Sequence, residues 1–273
     1  MPSRRILVVG GLAAGPSAAA KAVRTNPQAE VIVFEASDTI SYGICEAPYA
    51  ISGIIPDENK LVSYTPERLH EQKGVTVKTL HHVEKIVPGN NQIVVRDLRN
   101  RELVEYEYDK LILATGARPR RLNILGEDGR NVFHLSSRED TRNILKYIAA
   151  ESPKMAVIIG GGYIGMEMAE ALVAKGMDVT IIHRHRLPMA GLEQDTRERI
   201  LDELQRNNVH FVTNAKVEQL EQGKDGKVRH VITNRGTFET ELVILSLGVA
   251  PNVGLARQAK IRLGVTGAIT TDE

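Results

Sequence analysis

The chain has 273 residues, 42% of them hydrophobic, which suffices for two modest domains with buried cores. Its 35 Lys and Arg balance 34 Asp and Glu, so no global field favours nucleic acid or an anionic membrane surface. The single cysteine excludes a disulfide framework and a multi-cysteine zinc centre. We therefore expect a cytoplasmic protein with no metal site.

The first predicted element is an apolar, β-branched run from Ile6 that meets a glycine turn and then an alanine-rich helix. Arg4 and Arg5 before this run imitate a secretory signal, but Gly10 and Gly11 interrupt it. No stretch has the uncharged apolar length that a bilayer requires. The sequence therefore predicts a strand, a turn and a helix at this end of the chain.

The first turn fits a dinucleotide fingerprint with one departure. Gly10 and Gly15 occupy the outer positions of G-x-G-x-x-G, whereas Leu12 occupies the middle one. Glu35 follows Gly15 by about 20 residues, at the end of a second apolar strand, where a carboxylate binds the ribose hydroxyls of an adenosine. Phosphates are expected at the start of the helix. The alternative is a glycine turn that only packs the helix on the sheet.

The helix after this turn carries a basic stripe. Ser17, Lys21 and Arg24 are spaced four and three residues apart and so share one face, which Lys73 could extend. A phosphate-rich thiol substrate would suit such a face, and an ordinary solvated helix surface is the alternative.

Cys45 lies in a loop that follows the strand ending at Glu35. Dithiol reductases of this architecture carry C-x-x-x-x-C, and here the fifth residue after the cysteine is Ala50. A partner sulfur must therefore come from a small molecule, or oxygen must replace it. The alternative is a buried cysteine that acts as a small hydrophobe.

Shorter alternating runs at residues 92–96 and 104–108 predict a small antiparallel flap. A buried strand follows at residues 109–117 and ends in a glycine turn.

The first unit then recurs. Residues 156–165 repeat the pattern of residues 6–15, and Gly160 to Gly165 satisfy the fingerprint completely. The strand-end position is not acidic, since residues 183–186 read His-Arg-His-Arg. Arginine attracts a 2′-phosphate, so we expect this unit to bind NADPH, with NADH as the alternative. Residues 183–186 could instead form a basic loop that is only solvated. A strand at residues 242–248 closes this unit. Two such units predict doubly wound parallel sheets and two nucleotide sites.

Several motifs together resemble the single-cysteine branch of the FAD-dependent pyridine nucleotide–disulfide oxidoreductase family, which includes coenzyme A disulfide reductase. They are VVGGLAAG, SYGICEAPYAISG, SYTPERL with KGVTVKT, YDKLILATGARP, GGGYIGMEMAE, the HR after the second strand, and LGVAPN. The resemblance covers essentially the whole chain.

The resemblance implies an α/β fold with two Rossmann-like, glutathione-reductase-type domains of three layers. We expect an FAD-binding domain over residues 1–120, an NAD(P)-binding domain over 121–248, and the start of a return to the first domain over 249–273. Relatives continue into a C-terminal dimerisation domain, so we expect a truncated chain and a homodimeric full-length parent.

The resemblance also implies cofactor contacts. For FAD these fall on Gly10, Gly11, Ala14, Gly15, Glu35, Ala36, Thr115 and Gly116. For NADPH they fall on Gly160, Gly162, Tyr163, Ile164, Gly165, Glu167, His183, Arg184 and Gly248.

For the reaction, the resemblance implies Cys45 as the nucleophile and coenzyme A disulfide as the substrate. The implied coenzyme A contacts are Ser17, Lys21, Arg24, Ser41, Ile44 and Lys73. Glu46 departs from the small residue that many relatives have beside the thiol. Three alternatives stay open: an NAD(P)H oxidase or peroxidase that uses a cysteine sulfenic acid, a persulfide reductase, and a non-catalytic nucleotide-binding fragment.

Overall fold

A computed structural model describes residues 4–272 of the chain. The first predicted domain begins at residue 1 and the last predicted segment ends at residue 273. Residues 1–3 and 273 lie outside the described part. The strands are β1 Arg5–Val9, β2 Glu30–Glu35, β3 Thr76–Thr79, β4 His81–Val87, β5 Gln92–Asp97, β6 Leu103–Glu107, β7 Lys110–Leu113, β8 Ala117–Pro119, β9 Val132–Phe133, β10 Met155–Ile159, β11 Asp178–Ile182, β12 His210–Val212, β13 Val217–Gln222, β14 Val228–Thr233, β15 Gly236–Glu239, β16 Leu242–Leu245 and β17 Val249–Pro251. The helices are α1 Ala14–Thr25, α2 Ala47–Ser52, α3 Pro66–Lys73, α4 Arg138–Glu151, α5 Tyr163–Ala174, α6 Gln194–Arg206 and α7 Gly254–Gln258.

The chain folds into two compact units. Unit 1 comprises residues 1–43, 59–118 and 251–273, and unit 2 comprises residues 44–58 and 119–250. The sequence analysis placed residues 44–58 within the span 1–120. In the structure this segment packs within unit 2, because α2 lies against α4 and α5.

Unit 1 has three layers. Its parallel sheet has the order β3-β2-β1-β7, and its antiparallel flap has the order β4-β5-β6. Alternation along β1 separates the two faces: Val8 packs with Ala19 of α1, whereas Leu7 and Val9 pack with residues of the flap such as Ile93. A helix layer and a flap layer therefore bury both faces of the sheet.

Unit 2 repeats this plan. Its parallel sheet has the order β12-β11-β10-β16-β9, and its flap has the order β13-β14-β15. Val157 and Ile159 of β10 pack with flap residues such as Val231, which is fully buried. The predicted fold class, two Rossmann-like three-layer domains, is confirmed.

In each sheet the strand that leads into the glycine turn lies between two strands that both follow it in the chain. β1 lies between β2 and β7, and β10 lies between β11 and β16. Ligands of such sheets bind at this reversal point, outside the carboxyl ends of the strands. Among residues 4–272, no helix combines the length and apolarity that crossing a membrane requires.

Candidate functional site

The turn after β1 brings main chain and carboxylate into close contact. Gly10 has φ +110°, and a Cβ there would lie 2.1 Å from the carbonyl oxygen of Ala114. The Glu35 carboxylate accepts hydrogen bonds from the backbone N–H of Gly11 at 2.6 Å and of Ser37 at 2.8 Å. The acid that the fingerprint requires therefore also fixes the turn.

A cavity of about 510 Å³ opens at this end of the sheet. It brings together four predicted flavin contacts: Gly10, Glu35, Ala36 and Thr115. Gly11, Ala14, Gly15 and Gly116 lie beside it in the chain but not on its lining. An elongated dinucleotide fits a cavity that follows several strand ends.

Several residues of this cavity were missed by the sequence analysis. They are His81 to Glu84, Arg118, Asn252, Gly254, Leu255 and Gln258. The position of His81 two residues after the end of β3 was an available signal, because parallel strands of one sheet end at the same edge. Asn252 had no such signal, although its backbone carbonyl accepts a hydrogen bond from the Thr115 hydroxyl at 2.6 Å.

The turn after β10 repeats the geometry of the first. Gly160 has φ +114°, and a Cβ there would lie 2.0 Å from the Ser246 carbonyl oxygen. Gly162 is the N-cap of α5, with no side-chain cap and no atom within 4 Å of an added Cβ. Open space above uncapped N–H groups fits a pyrophosphate. Tyr163, Ile164, Gly165 and Glu167 lie in the first turns of this helix. Gly248 follows β16 with φ +79° and open space.

His183 stands where Glu35 stands in the first unit. Its Nδ1 accepts a hydrogen bond from the Gly161 backbone N–H at 3.0 Å. Burial, followed by the charges of His185 and Arg184, lowers the pKa of His183 to about 4. Its Nε2 is buried and finds no hydrogen-bond partner among the described residues. The ribose end of this unit is therefore neutral where the first is anionic.

Arg184 is exposed immediately after this neutral histidine, and its Nε donates to His185 Nε2 at 3.1 Å. Arg186 is bound to Glu198 at 3.2 Å. Within the described part of the chain, the guanidinium of Arg184 thus has no carboxylate partner, whereas that of Arg186 has one.

A second cavity of unit 1, about 350 Å³, lies beside the start of α1. It brings together Ser17, Ser41 and Lys73 of the predicted coenzyme A contacts, with Tyr64 in addition. Lys21 and Arg24 are exposed on α1 as the helical spacing predicted, but they do not line this cavity.

Cys45 lies in unit 2 and is exposed. It follows Ile44 in a single 3-10 turn, Ile44–Glu46, that leads into α2. A small cavity of about 60 Å³ is lined by Cys45 together with Glu167 and Glu170 of α5. Burial, followed by the negative charge of Glu170, raises the pKa of Glu167. Ala50, where dithiol reductases have a second cysteine, is buried. The thiol is thus accessible and has a titratable carboxyl group beside it.

Comparison with known proteins agrees with this geometry. The family model described as pyridine nucleotide-disulphide oxidoreductase matches residues 4–273. The chain belongs to this family.

Two curated relatives are longer than this chain. An "NAD(P)H sulfur oxidoreductase (CoA-dependent)" from Pyrococcus abyssi is 37% identical over 99% of the chain and 59% of the relative. A "coenzyme A disulfide reductase" from Staphylococcus aureus is 31% identical over 98% of the chain and 60% of the relative. The chain therefore spans about 60% of the length of the curated relatives that it matches.

Solved structures also resemble this chain. An NAD-dependent persulfide reductase from A. fulgidus matches with a TM-score of 0.94 and 31% identity over 98% of this chain and 50% of that one. An engineered water-forming NADPH oxidase matches with a TM-score of 0.91 and 30% identity over 98% of this chain and 59% of that one. That oxidase is a variant of a Lactobacillus brevis enzyme. Among its substitutions, alanine replaces an aspartate and arginine replaces an alanine.

The predicted family is therefore confirmed, and the relatives include a coenzyme A disulfide reductase, a persulfide reductase and a water-forming NADPH oxidase. Membership of this family implies FAD and a nicotinamide dinucleotide as cofactors. Both fit the residues present: one glycine turn with an acid at the ribose end, and one with open N–H groups and a neutral ribose end.

Proposed function

We propose that the protein is part of an FAD-dependent enzyme that uses NADPH to reduce coenzyme A disulfide through Cys45. The observation that carries this proposal is the lone, exposed thiol with buried Ala50 in the place of a second cysteine. The chain offers no partner sulfur, and in this proposal the sulfur that Cys45 engages comes from the substrate.

The two units divide the cofactors between them in this proposal. Unit 1 takes FAD, because the 510 Å³ cavity joins Gly10, Glu35 and Thr115. Unit 2 takes the nicotinamide dinucleotide over Gly160 and the open start of α5. The coenzyme A nucleotide takes the 350 Å³ cavity, where Lys73 offers a cation to phosphate.

FAD, when bound, supplies the transfer of an electron pair from NADPH toward the disulfide. The Cys45 thiolate attacks one sulfur of coenzyme A disulfide, forms a mixed disulfide and releases one coenzyme A thiolate. Two electrons and a proton then cleave the mixed disulfide, which releases the second coenzyme A thiol and restores Cys45. Glu167 holds a proton beside this site more readily than an ordinary carboxyl group, and when protonated it adds no negative charge near the thiolate.

An anaerobic titration tests the reaction. NADPH is expected to bleach the flavin absorbance, and coenzyme A disulfide is expected to restore it with release of thiol. The Cys45→Ser variant is expected to bleach in the same way but to release no thiol, since a hydroxyl group cannot form the mixed disulfide. Full disulfide turnover by that variant would overturn the proposal.

NADPH rather than NADH is proposed as the donor. His183 is neutral, and the exposed Arg184 beside it has no carboxylate partner among the described residues, so this end of the proposed site attracts a 2′-phosphate. The engineered NADPH oxidase gives support, because its changes also remove an acid and add an arginine.

Persulfide reduction is the second candidate. It is favoured by the Pyrococcus and A. fulgidus proteins, whose names specify sulfur and persulfide. Under this alternative, the Cys45 thiolate attacks the outer sulfur of a persulfide, forms a cysteine persulfide and releases the remaining thiolate. Two electrons and a proton then cleave the cysteine persulfide to hydrogen sulfide and the Cys45 thiolate. Steady-state kcat/KM for the two substrates distinguishes them, and a higher value for the persulfide would favour the second candidate.

The proposed full-length enzyme is a cytoplasmic homodimer. An exposed thiol that must cycle as a thiolate suits a reducing compartment. Sedimentation of the full-length protein tests the dimer. Purified chain that binds NADPH but carries no flavin would instead support the non-catalytic alternative.

A further inference from the structure

Glu58 forms a largely buried ion cluster with two arginines of α4, all within unit 2. Glu58 Oε2 accepts from Arg138 Nε at 2.9 Å, and Oε1 accepts from Arg142 Nε at 2.7 Å. The Glu58 side chain is 12% exposed, whereas Glu84, which pairs with Arg96 on the surface of unit 1, is 33% exposed. A buried carboxylate depends far more on its partners than an exposed one does.

The position of this cluster in the chain gives it a role. Glu58 is the last residue of the segment Ile44–Glu58, which belongs to unit 2 and carries Cys45 near its start. The chain on either side of the segment belongs to unit 1. The ion cluster thus anchors the segment at the end opposite to the thiol.

The segment between these ends is weakly structured by itself. Its helix α2 has six residues, far fewer than an isolated helix needs for stability. Four of its six residues are buried, Ala47, Pro48, Ala50 and Ile51, and only Ile51 among them has a large aliphatic side chain. Gly53 ends the helix with φ +93°, and Ile54 beyond it is 69% exposed. Directional contacts from unit 2 must therefore supply much of the order of this segment.

We propose that Glu58, Arg138 and Arg142 form a clamp that fixes the Cys45 segment on unit 2, so that Glu58 is a positioning residue for the thiol. The inference rests on the proposed function only in taking Cys45 as the redox group. The clamp itself is a property of the fold.

Hydrogen exchange of Glu58→Gln tests the clamp directly. This change keeps the size of the side chain but removes the negative charge that Arg138 and Arg142 share at this position. We expect backbone amides of residues 47–55 to exchange roughly tenfold faster, while those of α5 keep their protection. Iodoacetamide should alkylate the already exposed Cys45 several-fold faster, because a loosened segment lets the thiol move away from the Glu167 and Glu170 carboxyl groups that line its cavity.

Two further variants make the test specific. Glu84→Gln removes a surface ion pair of the same type and should leave both readouts unchanged. Arg142→Met removes only the more exposed arginine of the clamp, which is 38% exposed, and should give a smaller effect in the same direction. Unchanged exchange in residues 47–55, or equal loosening throughout unit 2, would overturn the clamp.

Turnover separates positioning from mere stability. With coenzyme A disulfide as substrate, Glu58→Gln should lower kcat several-fold and leave the KM for NADPH unchanged, and Glu58→Asp should restore part of the loss. A loss confined to the KM for NADPH would overturn the positioning role. If exchange and alkylation respond but the wild type does not reduce coenzyme A disulfide, the clamp stands and the proposed function fails.

Discussion

His183 is a histidine that the fold keeps neutral. Its Nδ1 accepts the Gly161 N–H, and a proton on Nδ1 would abolish that bond. Burial and neighbouring cations lower its pKa from 6.5 to about 4. The second unit therefore closes its glycine turn with an uncharged acceptor, whereas the first uses the Glu35 carboxylate.

This burial makes a prediction for stability against pH. Because the folded pKa lies below the unfolded one, the unfolded chain binds this proton first as the pH falls. The free energy of unfolding should fall between about pH 6.5 and about pH 4, by up to about 3 kcal/mol from this group. His183→Gln, which keeps an acceptor but cannot be protonated, should flatten that part of the profile. Urea unfolding at several pH values measures it, and an identical profile in the variant would contradict the prediction.

The next residue tests the choice of nucleotide. Arg184→Ala should raise the Kd for NADPH roughly tenfold and leave the Kd for NADH within about twofold, because only NADPH offers a 2′-phosphate. Arg186→Ala is the matched control, since that guanidinium is bound to Glu198. Fluorescence titration measures both constants. Equal losses for the two nucleotides would show that Arg184 does not distinguish them.

Among single residues, motif reasoning found the positions that repeat a local pattern. Gly10, Glu35 and Gly160 were placed correctly relative to their strands, since glycine turns and strand ends are adjacent in sequence. The part of the 510 Å³ cavity formed by Arg118 and Asn252 was missed. Such residues meet the site only through the folded chain, and no local period marks them.

At the scale of elements, two glycines of the turn between β10 and α5 are expected to have different roles. Gly160→Ala should cost about 2–4 kcal/mol, because it places a Cβ 2.0 Å from the Ser246 carbonyl oxygen at φ +114°. Gly162→Ala meets open space and should change stability by less than about 0.5 kcal/mol, yet weaken NADPH binding where a phosphate must approach. Urea unfolding and nucleotide titration give the two readouts. A stable Gly160→Ala protein would refute the close-approach argument.

The sequence predicted the elements whose period is regular. The flap strands expected at residues 92–96 and 104–108 are β5 and β6, which pair in antiparallel fashion. β4 was missed, because a register shift between Val83 and Lys85 breaks its alternation. The placement of residues 44–58 in unit 2 was also missed, since α2 is short and its position depends on contacts with α4 and α5.

At the scale of the whole molecule, one plan is used twice. Each unit has a parallel sheet, a helix layer and an antiparallel flap, and in each a glycine turn joins the central strand to a helix, α1 or α5. The repeats differ at the ribose end, where Glu35 of one corresponds to His183 of the other. The repeat was visible in the sequence because glycines and apolar runs recur at the same spacing.

If each unit binds its own dinucleotide, the two sites can be removed separately. Glu35→Gln should lower the affinity for FAD roughly tenfold, because it takes charge from the ribose-binding acid, and should leave the Kd for NADPH unchanged. Gly162→Asp should prevent NADPH binding by setting a negative charge at the open start of α5, and should leave the flavin content unchanged. Flavin absorbance and NADPH titration measure the two sites, and melting temperatures control for unfolding. A variant that keeps its melting temperature but loses both nucleotides would contradict the assignment of one cofactor to each unit, because one local charge change would then govern both sites.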